Sequence, residues 1–323
     1  MRRLAGLAVT AALGMPPTAA GREIVKTVGS LSVRVQADAA FPGGLLVVHL
    51  VAPRRLGASY AIFAGRRIRL LPAERGPRAL VPIPVTTAAG DAVLGIEIRG
   101  RRGRRRIAVP VALRERSYPA RSVALPPEKR SLLTSGRALR DGRRVLQALR
   151  RVSPQAHWQE PFRPPVDGPP GTAFGGKQHY LGVASSVEAL TDSVFGEYHR
   201  GLDYDVVEGT PVRAPADGQV ALSADLSLTG GTLVVDHGRG LHSVFFHLSR
   251  RDVVEQQQVT AGALLGLSGA TGLAAFPHLH WGIYAHEVAV DPETVMQPFT
   301  TRSEPHSGHR EAPRNAAPSP VEP

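Results

Sequence analysis

Short apolar runs, broken at close intervals by glycine and proline, are the feature that most constrains the fold of this chain. With 34 glycines and 28 prolines among 323 residues, a long helix has little uninterrupted sequence in which to form. Runs such as 31–35 and 94–98 alternate between apolar and other residues, which is the period of a half-buried strand. The chain is therefore predicted to be mostly β.

Changes in this pattern divide the chain into segments. Residues 21–120 carry alternating runs at the spacing of a β-sandwich, and residues 121–160 carry apolar residues at roughly helical intervals. Residues 161–300 return to Gly-punctuated strands. We expect a β-sandwich domain, a helical linker and a second β-rich domain. Residues 301–323 are polar and without periodicity, which predicts a disordered tail.

Residues 1–20 have the layout of a cleavable secretory signal. Arg2 and Arg3 precede a short apolar stretch, two prolines end that stretch, and small residues follow before Gly21. The apolar stretch is shorter than the ~20 residues that a membrane-spanning helix needs. The mature protein is expected to be exported, in the periplasm or outside the cell, with no membrane span left after cleavage.

Charge and cysteine content limit the chemistry and the partners. The chain contains no cysteine, which excludes disulfides, thiolate metal sites and thiol nucleophiles. The formal net charge of +12 favours an acidic partner such as nucleic acid, an anionic membrane surface or an anionic wall polymer. The basic run 99–106 fits a nucleic-acid patch, but we prefer a solvated hairpin turn whose charges discourage pairing at a sheet edge.

Histidines and an aspartate in the second β domain carry the chemical signal. His199 and Asp203 flank Gly201, which permits a bend that brings their side chains together. His278 and His280 alternate on a predicted strand, so both are expected to point to its polar face.

Residue types in this pattern point to a metal site. A catalytic zinc site takes three protein ligands from histidine and carboxylate and leaves a fourth position for water. Zinc polarises a carbonyl group and lowers the pKa of water, and further imidazoles can move protons or stabilise an oxyanion. His247, at the end of another apolar strand, is a candidate for that role. Spacing alone does not decide whether His278 or His280 is a ligand.

In order and spacing, these motifs resemble the lysostaphin-type (LytM-like) zinc endopeptidases, which cut peptide bonds in bacterial peptidoglycan. The matching stretches are 198–203, 209–212, 216–220, 236–238, 246–249, 268–272 and 277–280. The resemblance implies a compact antiparallel β fold for this domain. It also implies an immunoglobulin-like β module for the region that precedes it.

The resemblance implies a role for each candidate residue. His199, Asp203 and His280 match the ligands of one Zn²⁺ per chain. His247 and His278 match two catalytic histidines that position or deprotonate the water and stabilise the tetrahedral intermediate.

Departures from the family pattern fall outside these positions. They are Lys177, Phe245, Phe276 and Gly282. Phe276 is expected to reshape the groove wall and so to affect substrate preference more than catalysis. Among the remaining histidines, His237 and His242 are interpreted as surface residues or as partners of turns.

The predicted function is that of an exported zinc endopeptidase with peptidoglycan peptides as its substrate, associated with the cell wall. The alternative is a non-catalytic protein that binds and activates other wall hydrolases. That alternative ranks lower because such family members usually lack ligands, whereas all three are present here.

Nucleic-acid binding is suggested by charge alone, and export argues against it. We interpret the charge as attraction to anionic wall polymers, which should weaken with salt, and a regulatory protein is a further candidate partner.

Overall fold

The computed structural model describes residues 22–100, 103–133, 136–181 and 197–298. The secretory signal predicted for residues 1–20 and the tail predicted for residues 301–323 lie outside the described residues. Within them, no helix combines the length and the apolar character needed to cross a membrane.

The first domain is a β-sandwich, as predicted. Its strands are β1 (Glu23–Val28), β2 (Leu31–Ala39), β3 (Leu45–Val51), β4 (Ser59–Phe63), β5 (Arg66–Arg69), β6 (Arg78–Pro82), β7 (Gly90–Gly100) and β8 (Gly103–Leu113). Two antiparallel sheets with the orders β1-β2-β3-β6 and β5-β4-β7-β8 share one apolar core, because alternate residues such as Val35, Leu46 and Ile96 point inward from both. The immunoglobulin-like character of this module stays a prediction.

The linker contains both a strand and helices. It begins with β9 (Arg121–Val123), followed by α1 (Pro127–Leu133) and α2 (Gly136–Leu149). Helix α2 buries Val145, Ala148 and Leu149 against the sheet of the second domain. The predicted helices are present, but the first three residues of the segment pair with β10 (Gln178–Tyr180) in parallel. A three-residue strand is too short to show a period in the sequence.

The second domain is built on one large antiparallel sheet. Its strands are β10, β11 (Leu202–Tyr204), β12 (Pro211–Arg213), β13 (Gly218–Leu226), β14 (Gly230–Gly238), β15 (Leu241–Leu248), β16 (Arg250–Arg251), β17 (Gln258–Val259), β18 (Leu264–Leu267), β19 (Leu279–Ala285) and β20 (Val288–Val290), and a 3₁₀ helix spans Pro292–Thr294. The main order is β11-β19-β15-β14-β13-β17, with β20 on β19, and β12-β18-β16 form a smaller sheet. Trp281 and Phe245 are fully buried in its core.

Strand register places the candidate residues side by side. In the pairing of β11 with β19, Asp203 lies directly opposite His280, and in the pairing of β15 with β19, Phe246 lies opposite His280. Directly opposed residues have Cβ atoms about 5 Å apart, within reach of a shared ion.

Gly201 allows β11 to approach β19 this closely. A Cβ atom at Gly201 would lie 2.4 Å from the carbonyl oxygen of Trp281 and 2.8 Å from Nε2 of His280. The sequence suggested that this glycine provides a bend. The structure gives a different reason, which is that no side chain fits between the strands.

Candidate metal centre

Three side chains converge at the edge of the sheet. Nε2 of His199 lies 2.9 Å from Oδ1 of Asp203 and 3.1 Å from Nδ1 of His280, and Nδ1 of His280 lies 2.9 Å from the same oxygen. All three residues are buried. Ligands about 2.0–2.1 Å from a tetrahedral zinc ion lie about 3.3 Å from one another. The triangle is therefore close to the size that one such ion requires.

The tautomer of His199 indicates that a cation belongs in this triangle. Its Nδ1 donates to the carbonyl oxygen of Ala173 at 2.8 Å, so a neutral ring has a lone pair on Nε2. That lone pair faces a carboxylate oxygen of Asp203 and a second ring nitrogen. A proton on Nδ1 of His280 can be shared with Nε2 of His199 and with Oδ1 of Asp203. The remaining contact, between Nε2 of His199 and Oδ1 of Asp203, then brings two lone pairs together. Two nitrogens and one oxygen are a donor set that suits zinc.

Burial and mutual interaction set the charge states of these groups. Burial alone would raise the pKa of Asp203, but the adjacent His199 and His280 hold that pKa well below its usual range. Burial lowers the pKa of His280 to about 4, against the attraction of Asp203. At neutral pH the pair is thus a carboxylate and a neutral imidazole, the forms that bind a metal.

His247 and His278 lie beside the three converging residues. Nδ1 of His247 donates to the carbonyl oxygen of Thr271 and Nδ1 of His278 donates to that of Phe276, both at 2.8 Å. Their ring centroids are 4.7 Å apart, and Nε2 of His278 is 3.9 Å from Oδ1 of Asp203. All five side chains that the sequence singled out therefore line one pocket.

His247 has an unusual backbone and an unusual acidity. Its φ of 65° lies in the left-handed region, which is uncommon for a residue with a side chain. Burial, together with the neighbouring His278 and His280, lowers its pKa to about 3. The ring is neutral at neutral pH, and its Nδ1–H is committed to Thr271, so Nε2 is the atom that can accept a proton.

Arg121 is a member of the site that sequence reasoning did not find. Its Nη2 donates to Oδ2 of Asp203 at 3.1 Å and its Nη1 donates to Oγ1 of Thr172. The residue comes from β9, in the linker, and reaches the pocket because that strand pairs with β10. One arginine in a basic linker carries no signal in the sequence that separates it from its neighbours.

Aromatic side chains flank the candidate ligands. The ring of Phe246 stacks on His280 with an interplanar angle of 4° and a centroid distance of 5.0 Å. Phe276 is 49% exposed and its ring centroid lies 5.3 Å from that of His278. It lines the pocket together with Tyr180 and Tyr198.

His237 and His242 were interpreted as surface residues or as partners of turns, and both are fully buried. His237 donates from Nδ1 to the carbonyl oxygen of Asp217, and its Nε2 lies 2.8 Å from Oγ of Ser243. Neither ring nitrogen of His242 has a hydrogen-bond partner among the described residues. Both residues lie in strands whose two faces are covered, a situation that the local sequence does not reveal.

Comparison with known proteins places the site in a family. The sequence profile of peptidase family M23 matches residues 197–292, which contain all five candidate residues. An uncharacterised metalloprotease of Haemophilus influenzae is 41% identical over 104 residues, which are 32% of this chain and 22% of that protein. The peptidoglycan DD-endopeptidase ShyA of Vibrio cholerae is 37% identical over 83 residues, 26% of this chain and 19% of that protein. The chain thus spans about a fifth of the length of these curated relatives.

Similarity to one solved structure extends well beyond the matched segment. A protein of Pseudomonas aeruginosa assigned to peptidase M23 is 31% identical, with a TM-score of 0.56. The match covers 80% of this chain and 95% of the other. The chain therefore belongs to the LytM-type peptidase family M23.

Proposed function

We propose that this protein is an exported, zinc-dependent endopeptidase that hydrolyses peptide bonds of bacterial peptidoglycan. The observation that carries the proposal is the approach of three ligand atoms to within 3.1 Å of one another, beside two further histidines. A relative named as a peptidoglycan DD-endopeptidase supports the substrate class.

His199, Asp203 and His280 would hold the zinc ion. When bound, zinc supplies Lewis acidity, which polarises a carbonyl group and lowers the pKa of a water molecule to about 7. Arg121 binds Oδ2 of Asp203 and so directs Oδ1 toward the two imidazoles. Ala173, through its carbonyl oxygen, holds His199 in the tautomer that presents Nε2.

His247 and His278 would perform the proton transfers. Backbone carbonyl oxygens bind the Nδ1–H of both rings, which leaves each Nε2 as an acceptor. A ring in this state can orient a water molecule or take its proton, and the resulting imidazolium can then donate to the developing oxyanion or to the leaving amine. Phe276, partly exposed beside His278, would contact substrate side chains on the groove wall.

The boundaries of the segments are part of the proposal. We propose that residues 1–20 direct export and are removed, that 21–120 form the sandwich module and that 121–160 form the linker. Residues 161–300 form the endopeptidase domain.

Purified peptidoglycan provides the test. The purified protein is expected to contain zinc and to release peptide fragments from insoluble peptidoglycan. A chelator should stop the release, and added Zn²⁺ should restore it. Mass spectrometry of the fragments would identify the bond that is cut. Cleavage of glycan strands instead of peptides would refute the proposal, and zinc binding without any digestion would favour the non-catalytic activator.

A further inference from the structure

Formal charge is distributed unevenly along this chain. Residues 21–120 contain 18 arginine and lysine residues against six acidic residues, a net charge of +12, and residues 121–160 contain nine against three, a net charge of +6. Residues 161–300 contain seven against fifteen, a net charge of −8. Attraction to an acidic partner must therefore come from outside the domain that carries the candidate metal centre.

The outer face of the sheet β5-β4-β7-β8 concentrates part of this positive charge. Inward-pointing residues such as Ala61, Ile96 and Ile107 are buried in the sandwich core, so alternate residues point outward. The outward set, here called the arginine face, comprises Tyr60, Arg67, Arg69, Glu97, Arg99, Arg104 and Arg106. Arg69, Tyr60, Glu97 and Arg106 lie directly opposite one another across the four strands.

Glu97 organises this face. The carboxylate is 2% exposed and accepts hydrogen bonds from Arg67 at 2.8 Å and from Arg99 at 3.0 Å. Arg104 and Arg106 lie 3.5 and 3.6 Å from its other oxygen. Burial opposes the effect, but Arg67, Arg99 and Arg104 lower the pKa of Glu97 to about 2. Four arginines thus converge on one carboxylate and keep an excess of three positive charges.

Donors on the arginine face remain available to a partner. The side chains of Arg99, Arg104 and Arg106 are 56%, 51% and 66% exposed. Arg67 stacks on Tyr60, with Cζ 3.3 Å from the ring centroid, which fixes the plane of its guanidinium group. The hairpin predicted for 99–106 is confirmed by the pairing of β7 with β8, but Arg99, Arg104 and Arg106 form part of an ordered cluster.

We propose that the arginine face binds carboxylates of peptidoglycan stem peptides, away from the metal centre. The identity of this partner rests on the proposed function, which supplies the polymer. Guanidinium groups bind carboxylates through paired hydrogen bonds, and Glu97 shows that those on this face converge at the dimensions of one carboxylate. Binding here would offset the repulsion between an acidic catalytic domain and a polymer of the same charge.

Retention of the protein on insoluble sacculi, stripped of accessory polymers and assayed with a chelator present to prevent digestion, tests this inference. The triple variant Arg69→Gln, Arg104→Gln, Arg106→Gln removes the 3.5 Å hydrogen bond from Arg104 to Glu97 but leaves the shorter ones from Arg67 and Arg99 in place, so the sandwich should stay folded. The matched control removes three exposed arginines from α2, as Arg140→Gln, Arg143→Gln, Arg144→Gln. A third variant, Arg69→Lys, Arg104→Lys, Arg106→Lys, keeps the positive charge but removes the planar guanidinium groups.

At about 0.1 M salt, the glutamine variant of the arginine face is expected to bind sacculi roughly tenfold more weakly, or weaker still, than the unmodified protein. The α2 control is expected to lose much less affinity for sacculi. The lysine variant is expected to recover less than half of the affinity that the glutamine variant loses. Equal losses in the two glutamine variants, full recovery with lysine, or no retention of the unmodified protein would each overturn the inference. The inference would also be overturned if the unmodified protein bound vesicles of phosphatidylglycerol and phosphatidylcholine as tightly as it binds sacculi.

Retention is measured without turnover, so its outcome is independent of hydrolysis. A protein that is held through the arginine face but cuts nothing would uphold the inference and refute the proposed function. A protein that digests peptidoglycan and binds it equally well without these arginines would uphold the proposed function and refute the inference.

Discussion

Single substitutions separate metal binding from proton transfer at this site. His280→Ala removes one of the three converging ligand atoms, so zinc and activity should be lost together. His247→Ala leaves those atoms in place and should keep zinc while turnover falls about 10²–10⁴-fold, the range for a general acid or base. Zinc content and fragment release are measured on the same samples. Full activity in either variant would remove that residue from the mechanism.

Replacing Arg121 measures what a residue contributes when it contacts a metal ligand but does not bind the metal itself. Without the hydrogen bond to Oδ2, Asp203 is less firmly oriented, so Arg121→Ala should weaken zinc affinity about 10–100-fold. Zinc titration with a competing chelator measures the change. Arg140→Ala, an exposed arginine of α2, is the control for the loss of one positive charge. Equal affinities in the two variants would show that Arg121 has no part in the site.

That five residues line one pocket was predictable from the sequence, whereas their contacts were not. His199, Asp203, His247, His278 and His280 follow from motif spacing and family resemblance. The contact of Arg121 with Asp203 depends on a linker strand that pairs with the second domain, and no local pattern encodes such a pairing.

At the scale of elements, close contact between β11 and β19 creates the site. Gly201→Ala would place a methyl group 2.4 Å from a backbone oxygen of Trp281, so the strands must separate. We expect a loss of about 1–3 kcal/mol in the free energy of unfolding, together with weaker zinc binding because Asp203 moves from His280. Gly100→Ala, where an added Cβ meets nothing within 4 Å, is the matched control. Denaturant unfolding measures both, and equal stabilities would contradict the account.

Strand positions could be read from the sequence more readily than strand partners. Strands β15 and β19 coincide with the strands predicted around His247 and around His278 and His280, because turns punctuate them. Register and sheet order depend on contacts between distant segments. The burial of His237 and His242 could not be predicted for the same reason, since it depends on what covers each face of the sheet.

At the scale of the whole molecule, buried and half-buried histidines should make the metal-free protein sensitive to acid. Burial lowers the pKa of His237 and His286 to about 4 and that of His247 to about 3. Because the unfolded chain binds these protons first, stability falls as the pH drops below about 6.5. Asp291, whose pKa burial raises to about 6, acts in the opposite direction but is one group against four, because burial also lowers the pKa of His280 to about 4.

Denaturant midpoints measured with a chelator at about pH 7 and about pH 5 test this balance. We expect the free energy of unfolding to be lower at pH 5, by roughly 2 kcal/mol for each histidine. The opposing effect of Asp291 is subtracted from this sum. His286→Asn, which removes one titrating group, should reduce the difference. Equal midpoints at the two pH values would show that the histidines titrate alike in the folded and unfolded chain.

Zinc-edge X-ray absorption of the purified protein tests the central claim most directly, because it reports the atoms around the metal. We predict one zinc per chain with two imidazole nitrogens and a carboxylate oxygen at about 2.0–2.2 Å. A protein that binds no zinc when zinc is ample, or a zinc ion with fewer than two imidazole ligands, would contradict it.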